Sequence, residues 1–117
     1  MTFFLCLYFI AENHLIAQSP EKISYQAVIR DAGGVLVSNQ IVGVKVQILH
    51  FTKDGAAVYV ETHSRSTNSN GLLTLEIGGG SVVQGTFSNI DWANGPYYLK
   101  TEIDPAGGTN YNITSVV

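Results

Sequence analysis

Two histidines and a glutamate are the residues whose chemistry could make a metal site. His50 and His63 are the only histidines after residue 17, and Glu61 lies just before His63. A zinc-type site would need both imidazoles and a third ligand such as Glu61 to converge, with further groups that orient them. His50 ends one predicted strand and His63 lies in its hairpin partner, so the two could be cross-strand neighbours. The sequence supplies no further ligand pattern, so we predict surface histidines and neither a metal nor another cofactor.

The aspartates are predicted to serve turns. Asp31, Asp54, Asp91 and Asp104 all fall in turn-forming stretches, where an aspartate usually accepts hydrogen bonds from nearby backbone N–H groups. Calcium would need about six converging oxygens, and the spacing of a calcium loop is not present. The four carboxylates therefore favour structural roles over ion binding.

Patterns typical of catalysis are missing from the sequence. Serine, histidine and aspartate occur without a Gly-x-Ser-x-Gly context, and the three glycines at residues 78–80 lack the Lys-Ser/Thr of a phosphate-binding loop. A glycosidase needs a pair of carboxylates across a cleft, which a small sandwich with short loops does not offer. We predict a protein that is not an enzyme and has no catalytic residues.

Aromatic residues are the candidates for ligand contact. Tyr59, Trp92 and Tyr98 could stack against sugar rings, because an aromatic side chain combines an apolar face with a polar edge. The strand pattern points Tyr59 and Tyr98 outward, whereas Trp92 and Tyr97 are better placed to fill the end of the core. Packing within the core or across strands is the alternative use of these rings.

These side chains must be positioned by strands. Residues 72–77 form the strand around which the predicted fold is arranged, since apolar and polar side chains alternate there with period two. Similar patterns predict strands at residues 23–30, 35–37, 42–48, 58–62, 97–104 and 111–115. Residues 64–71 are predicted as an exposed loop, and residues 81–92 as a crossover with one helical turn near its end. This pattern predicts an all-β, immunoglobulin-like or transthyretin-like two-sheet sandwich of six to seven antiparallel strands.

Composition limits the partners. A chain of 117 residues with 45% hydrophobic residues fits one domain with a sizeable core. Only 13% of residues are charged and the net charge is -3, so the basic surface expected of a nucleic-acid-binding protein is missing. We therefore predict no nucleic-acid partner.

The start of the chain has the pattern of an export signal. Residues 2–11 are apolar but too few to span a bilayer as a helix, and polar residues and a cleavage site after Ala17 follow. We predict a signal peptide at residues 1–17 and a β-sandwich domain at residues 18–117, secreted or at the cell surface and not an integral membrane protein after cleavage. A buried N-terminal strand or helix is the alternative, because no Lys or Arg precedes the apolar run. Cys6 lies inside the predicted signal, which would leave the mature chain without a thiol.

Three spaced blocks carry a family resemblance. They are QSPEKISYQAVIRDAGG at residues 18–34, NGLLTLEIGGG at residues 70–80 and IDWANGPYYLKTEIDPAGGTNY at residues 90–111. Together they resemble an N-terminal β-sandwich module of Bacteroidota secreted and surface proteins, found ahead of tail-fibre-like, collagen-like or repeat regions and akin to the carboxypeptidase regulatory-like or transthyretin-like group.

The resemblance implies an extracellular sandwich without catalytic residues. In that family a Leu-Ser-Val-Pro-Tyr-Ala type segment usually follows the last strand, so we expect Val117 to end a truncated domain whose partners are downstream domains of the same longer chain. The leading hypothesis is a non-enzymatic structural or presentation module of an exported bacterial protein. The alternative is an adhesion module that binds a carbohydrate or a surface protein through exposed aromatic residues.

Overall fold

A computed structural model of the chain describes residues 22–117. The predicted signal peptide at residues 1–17, including Cys6, lies outside the described residues. The described part forms seven strands: β1 Ile23–Val28, β2 Ile41–His50, β3 Ala57–Ser66, β4 Leu72–Ile77, β5 Ser81–Gln84, β6 Tyr97–Asp104 and β7 Ile113–Val116. Two short 3-10 turns, Phe87–Asn89 and Trp92–Asn94, lie between β5 and β6. Among the described residues, no helix has the length and apolarity needed to span a lipid bilayer.

The strands form two antiparallel sheets. One sheet has five strands in the order β5-β3-β2-β6-β7, and the other consists of β1 and β4. The two sheets share one core, because Leu73, Leu75 and Ile77 of β4 belong to the same buried cluster as the valines of β2. The predicted all-β two-sheet sandwich of six to seven antiparallel strands is confirmed.

Strand β2 supplies the centre of the core. Val42, Val44 and Val46 have no exposed surface and Ile48 is also buried. These side chains alternate along the strand, so all four project from the same face of the sheet. Each contributes roughly 1.5 to 3 kcal/mol through burial of apolar surface. Their β-branched side chains also favour the extended backbone over a helix.

Two of the four aspartates hold turns by backbone hydrogen bonds, as predicted. Asp31 Oδ1 accepts the Gly33 N–H at 2.9 Å. Asp104 accepts the N–H groups of Ala106 at 2.9 Å and Asn110 at 3.0 Å. The two backbone donors hold the pKa of the Asp104 carboxyl below its ordinary value, because they favour its charged form.

Three parts of the strand assignment differ from the prediction. Residues 35–37 form no strand and contribute only an isolated bridge between Arg30 and Leu36. β3 continues to Ser66, and residues 81–84 form edge strand β5 instead of a crossover. All four residues of β5 and the last three of β3 are exposed. Alternation of apolar and polar residues is a signal of one-sided burial, so strand segments without such burial lack it.

Candidate functional site

Four residues make a buried polar network, here called the Glu61 cluster: Tyr59, Glu61, His63 and Gly78. The Glu61 side chain has no exposed surface. Its Oε1 accepts the Tyr59 hydroxyl at 2.5 Å and the Gly78 N–H at 2.9 Å. Its Oε2 contacts His63 Nε2, which donates in the tautomer that suits a carboxylate. The cluster thus joins strand β3 to the turn that follows β4.

The register of β3 explains why these side chains point inward. Tyr59, Glu61 and His63 pair with Ile48, Val46 and Val44 of β2. Antiparallel partners share a face, and those three partners lie in the core cluster.

The predicted outward orientation of Tyr59 is therefore wrong. Val60 lies instead on the opposite face, between Gln47 of β2 and Gln84 of β5, and is nevertheless buried. Because apolar residues occur on both faces of β3, they do not identify the core face.

The Glu61 cluster is organised for stability. Burial raises the pKa of Tyr59, and the hydrogen bond and negative charge of Glu61 raise it further. Tyr59 is consequently a neutral donor at physiological pH. Three donors converge on one carboxylate, and a hydrogen bond to a charged group contributes about 1.5 to 3 kcal/mol. The carboxylate is engaged by the protein itself, which leaves it poorly suited to attack a substrate.

A three-ligand metal site does not form around the histidines. His63 does contact Glu61, but His50 pairs with Tyr97 and His63 with Val44. Val44 and His50 are separated by roughly 20 Å along β2, given about 3.4 Å per residue, so the hypothesis that the histidines are cross-strand neighbours is wrong. Within residues 22–117, no group of three or more His, Cys, Asp or Glu side chains could hold a metal ion.

An open groove of about 490 Å³ lies beside His63. Glycines and hydroxyl-bearing residues dominate its walls, which come mainly from β3, the β4–β5 turn and the β6–β7 loop, with Gly43 of β2 and Ser81 of β5. Gly80 must remain small, because a Cβ there would lie 2.6 Å from His63 Nε2 and 2.6 Å from the Thr62 carbonyl oxygen. The close approach of the turn keeps His63 against Glu61.

The second site is the aromatic end, defined as His50, Phe51, Phe87, Trp92 and Tyr97. The His50 ring stacks between Phe51, with centroids 3.7 Å apart, and Tyr97, with centroids 4.6 Å apart. Trp92 meets the ring of Tyr97 edge-on at 5.2 Å and that of Phe87 at 5.7 Å. His50 Nε2 also lies 2.7 Å from the Asn94 carbonyl oxygen. The stack is therefore held from several sides.

Phe51 combines exposure with an unfavourable backbone. Its φ is 75°, a left-handed conformation that is unusual for a bulky residue, and 56% of its surface is exposed. Its N–H donates to the Pro96 carbonyl oxygen at 2.8 Å. Such a conformation costs on the order of 1 to 3 kcal/mol and occurs often at functional sites.

Comparison with protein families identifies one that covers most of the chain. Residues 24–115 match a family described as a domain of unknown function, DUF8740. The chain belongs to this family. No curated protein and no solved structure matches it.

The three predicted contact residues occupy different environments in this DUF8740 domain. Tyr59 is buried, so it offers no ring face to a ligand. Trp92 is half-buried against the core, and its Nε1 is buried without a hydrogen-bond partner. Tyr98 is also half-buried and pairs with Leu49, which lies outside the core cluster. The structure does not bring all three together: Trp92 and Tyr98 line one small apolar cavity of about 160 Å³, whereas Tyr59 belongs to the Glu61 cluster.

Sequence reasoning did not identify Phe51 as a candidate. Phe51 directly follows β2 and precedes the Lys53-Asp54-Gly55 hairpin turn. A large aromatic residue at the start of a turn is the one signal that could have drawn attention to it, since turns usually carry small or polar residues.

Proposed function

We propose that this domain is a non-enzymatic structural module of an exported bacterial protein, located at the cell surface or secreted, which supports and presents neighbouring parts of a longer chain. The observation that carries the proposal is the Glu61 carboxylate, which is completely buried and bound by Tyr59, His63 and Gly78. The acid and the histidine best able to do chemistry are thereby committed to holding the fold.

The sequence pattern supports the cellular part of the proposal. The signal-like residues 1–17 and the resemblance to Bacteroidota surface modules both favour export. A domain that works outside the cytoplasm must hold its fold without help from cytosolic chaperones. A buried network that ties β3 to the turn after β4 suits that requirement.

The test uses the full chain with an epitope tag after Val117, produced in a Bacteroidota host. We expect the tag in the medium, or on intact cells where added protease removes it, while a cytoplasmic marker stays protected. Glu61→Ala should lower the amount of exported tag, whereas Glu76→Ala should not, because Glu76 is an exposed residue of β4. A tag that remains with the cytoplasmic marker would contradict export.

A second candidate function is recognition of a glycan or a surface protein through aromatic side chains. Exposure of Phe51 favours it, and Tyr98 remains a predicted contact. Titration of the purified chain against a broad glycan panel tests this function. Saturable binding that is lost in Tyr98→Ala would support the predicted contact, and binding that is retained would place the contact elsewhere.

A further inference from the structure

A small cleft opens beside the aromatic end. Its volume is about 240 Å³, and its walls include His50, Tyr97 and the loop residues Thr86, Asn89 and Asp91. Pockets that enclose drug-sized ligands typically span about 300 to 1,000 Å³. This cleft is therefore suited to a single small ring at the end or side of a larger ligand.

Polar side chains at the cleft are available to a ligand. Thr86 and Asp91 each precede a 3-10 turn, yet neither makes a side-chain capping hydrogen bond. Both residues are exposed, as is Asn89. The cleft thus offers a hydroxyl, a carboxylate and an amide, groups that can donate to and accept from neutral hydroxyls.

The loop that carries these groups is fixed to the aromatic stack. Tyr97 donates its hydroxyl to the Asp91 carbonyl oxygen at 2.7 Å. The Asn94 carbonyl oxygen lies 2.7 Å from His50 Nε2. Because the same two rings also line the cleft, the polar groups and the rings hold a defined relative position. A preformed arrangement of this kind reduces the ordering required on binding.

Phe51 extends this surface outward. One face of its ring lies on His50, and 56% of the residue is exposed. Phe51 and the cleft adjoin through His50, which contacts the first and lines the second. An apolar ring face therefore stands next to a polar cleft.

We propose that the aromatic end binds a neutral oligosaccharide. One pyranose ring places its C–H face on Phe51, and a neighbouring sugar inserts hydroxyls between Asp91, Asn89 and Thr86. A sugar ring has an apolar face and a rim of hydroxyls, which matches the two parts of the site, and the Asp91 carboxylate disfavours anionic sugars by charge repulsion. This inference rests on the second candidate function, which it deepens by naming neutral oligosaccharides as the ligand and Phe51 as the contact, and it does not depend on the structural role.

Calorimetric titration of the purified full chain with cellohexaose, maltohexaose, xylohexaose and mannohexaose tests the proposal. We expect saturable binding of at least one of these neutral probes. Phe51→Ala should weaken that binding by about tenfold, the effect of losing roughly 1.4 kcal/mol of ring contact. Asp91→Ala should also weaken it. Emission from Trp92, the single tryptophan of the chain, provides a second readout because its ring contacts Tyr97.

Two further variants make the test specific. Phe51→Gly removes the ring while accepting the left-handed backbone, so a matching loss in both Phe51 variants excludes backbone strain in the alanine variant as the cause. Val35→Ala is the matched control, since Val35 is an apolar residue with 63% of its surface exposed and is not among the residues that line the cleft; it should bind as the wild type does. Failure to bind any of the four probes would overturn the proposal, as would binding unchanged in both Phe51 variants or weakened as strongly by Val35→Ala.

Discussion

The Glu61 cluster and the aromatic end are linked by one side chain but built in opposite ways. The Tyr59 hydroxyl binds Glu61, while its ring meets Phe87 of the aromatic end edge-on at 5.2 Å. In the cluster the acid is buried and its donors are satisfied. At the aromatic end Phe51 is exposed and Asp91 makes no capping bond. The contrast teaches that chemically reactive residue types serve the fold here, whereas an apolar ring remains exposed.

The largest expected loss of stability comes from removing the carboxylate at the centre of the Glu61 cluster. Glu61→Ala leaves the Tyr59 hydroxyl, the His63 ring and the Gly78 N–H without their shared acceptor. An unsatisfied buried donor costs about 1 to 3 kcal/mol, and some of these donors can turn toward water in the adjoining groove. We expect the free energy of unfolding to fall by about 3 to 5 kcal/mol, measured by urea denaturation followed by circular dichroism.

Glu76→Ala is the control for that experiment. Glu76 lies 3.6 Å from Lys22, and the side chains are 58% and 56% exposed. An exposed ion pair contributes about 0 to 1 kcal/mol, so this substitution should have little effect. Equal losses in the two alanine variants would show that the Glu61 cluster is not a special source of stability.

A smaller loss of stability is expected when a new side chain at residue 80 presses on the Glu61 cluster. In Gly80→Ala the new Cβ would come within 2.6 Å of His63 Nε2 and push the ring from Glu61. Overpacking of this kind costs about 1 to 3 kcal/mol. In Gly33→Ala the nearest atom would be Asp31 Oδ1 at 3.4 Å, so the loss should stay within about 0.5 kcal/mol. Chemical denaturation measures the free energy of unfolding of both variants. Equal values for Gly80→Ala and Gly33→Ala would refute the predicted clash between the new Cβ and His63.

Tyr59→Phe separates the hydroxyl from the ring that links the two regions. Glu61 keeps Gly78 and His63 as donors, so we expect a loss of about 1.5 kcal/mol. The ring contact with Phe87 should survive, and emission from Trp92 should stay unchanged. A large change in that emission would mean that the hydroxyl also shapes the aromatic end.

Alkaline pH should reduce the difference in unfolding free energy between the wild type and Tyr59→Phe. The folded-state pKa of Tyr59 is raised by burial and by Glu61, so its contribution is fully present below the ordinary pKa of about 10 and is lost as pH rises toward the folded value. Between about pH 9 and about pH 11 the wild type should lose up to roughly 1.4 kcal/mol that Tyr59→Phe does not lose. Parallel stability curves for the two proteins would contradict the raised pKa.

The sequence predicted the parts of the fold that one-sided burial controls. β2, β4 and β6 were recognisable because their apolar side chains alternate over most of their length. β5 and the end of β3 were not, since their residues are exposed on both faces. Asp31 and Asp104 were predicted correctly as turn residues, because a short carboxylate bonds to its own neighbouring backbone and long-range contacts are not needed.

The sites were harder to predict because they depend on register and on distant contacts. Tyr59 was expected outward from the alternation of side chains in its strand, and only pairing with β2 shows which face is covered. The meeting of Glu61 with Gly78 joins residues from β3 and from the turn after β4. The left-handed backbone of Phe51 depends on its hydrogen bond to Pro96, a residue far along the chain. Local patterns carry no information on such contacts.

The smallest expected change in stability is that of Phe51→Gly at the aromatic end. Phe51→Gly removes a ring stack worth about 0.5 to 1.5 kcal/mol and relieves a left-handed backbone that costs roughly 1 to 2 kcal/mol in a non-glycine residue. Glycine in turn adds freedom to the unfolded chain, at about 0.5 to 1 kcal/mol. These terms nearly cancel, so urea denaturation should place the variant within about 1 kcal/mol of the wild type. A loss as large as that of Glu61→Ala would mean that the exposed ring stabilises the fold, and the distinction between a closed structural cluster and an open binding end would fail.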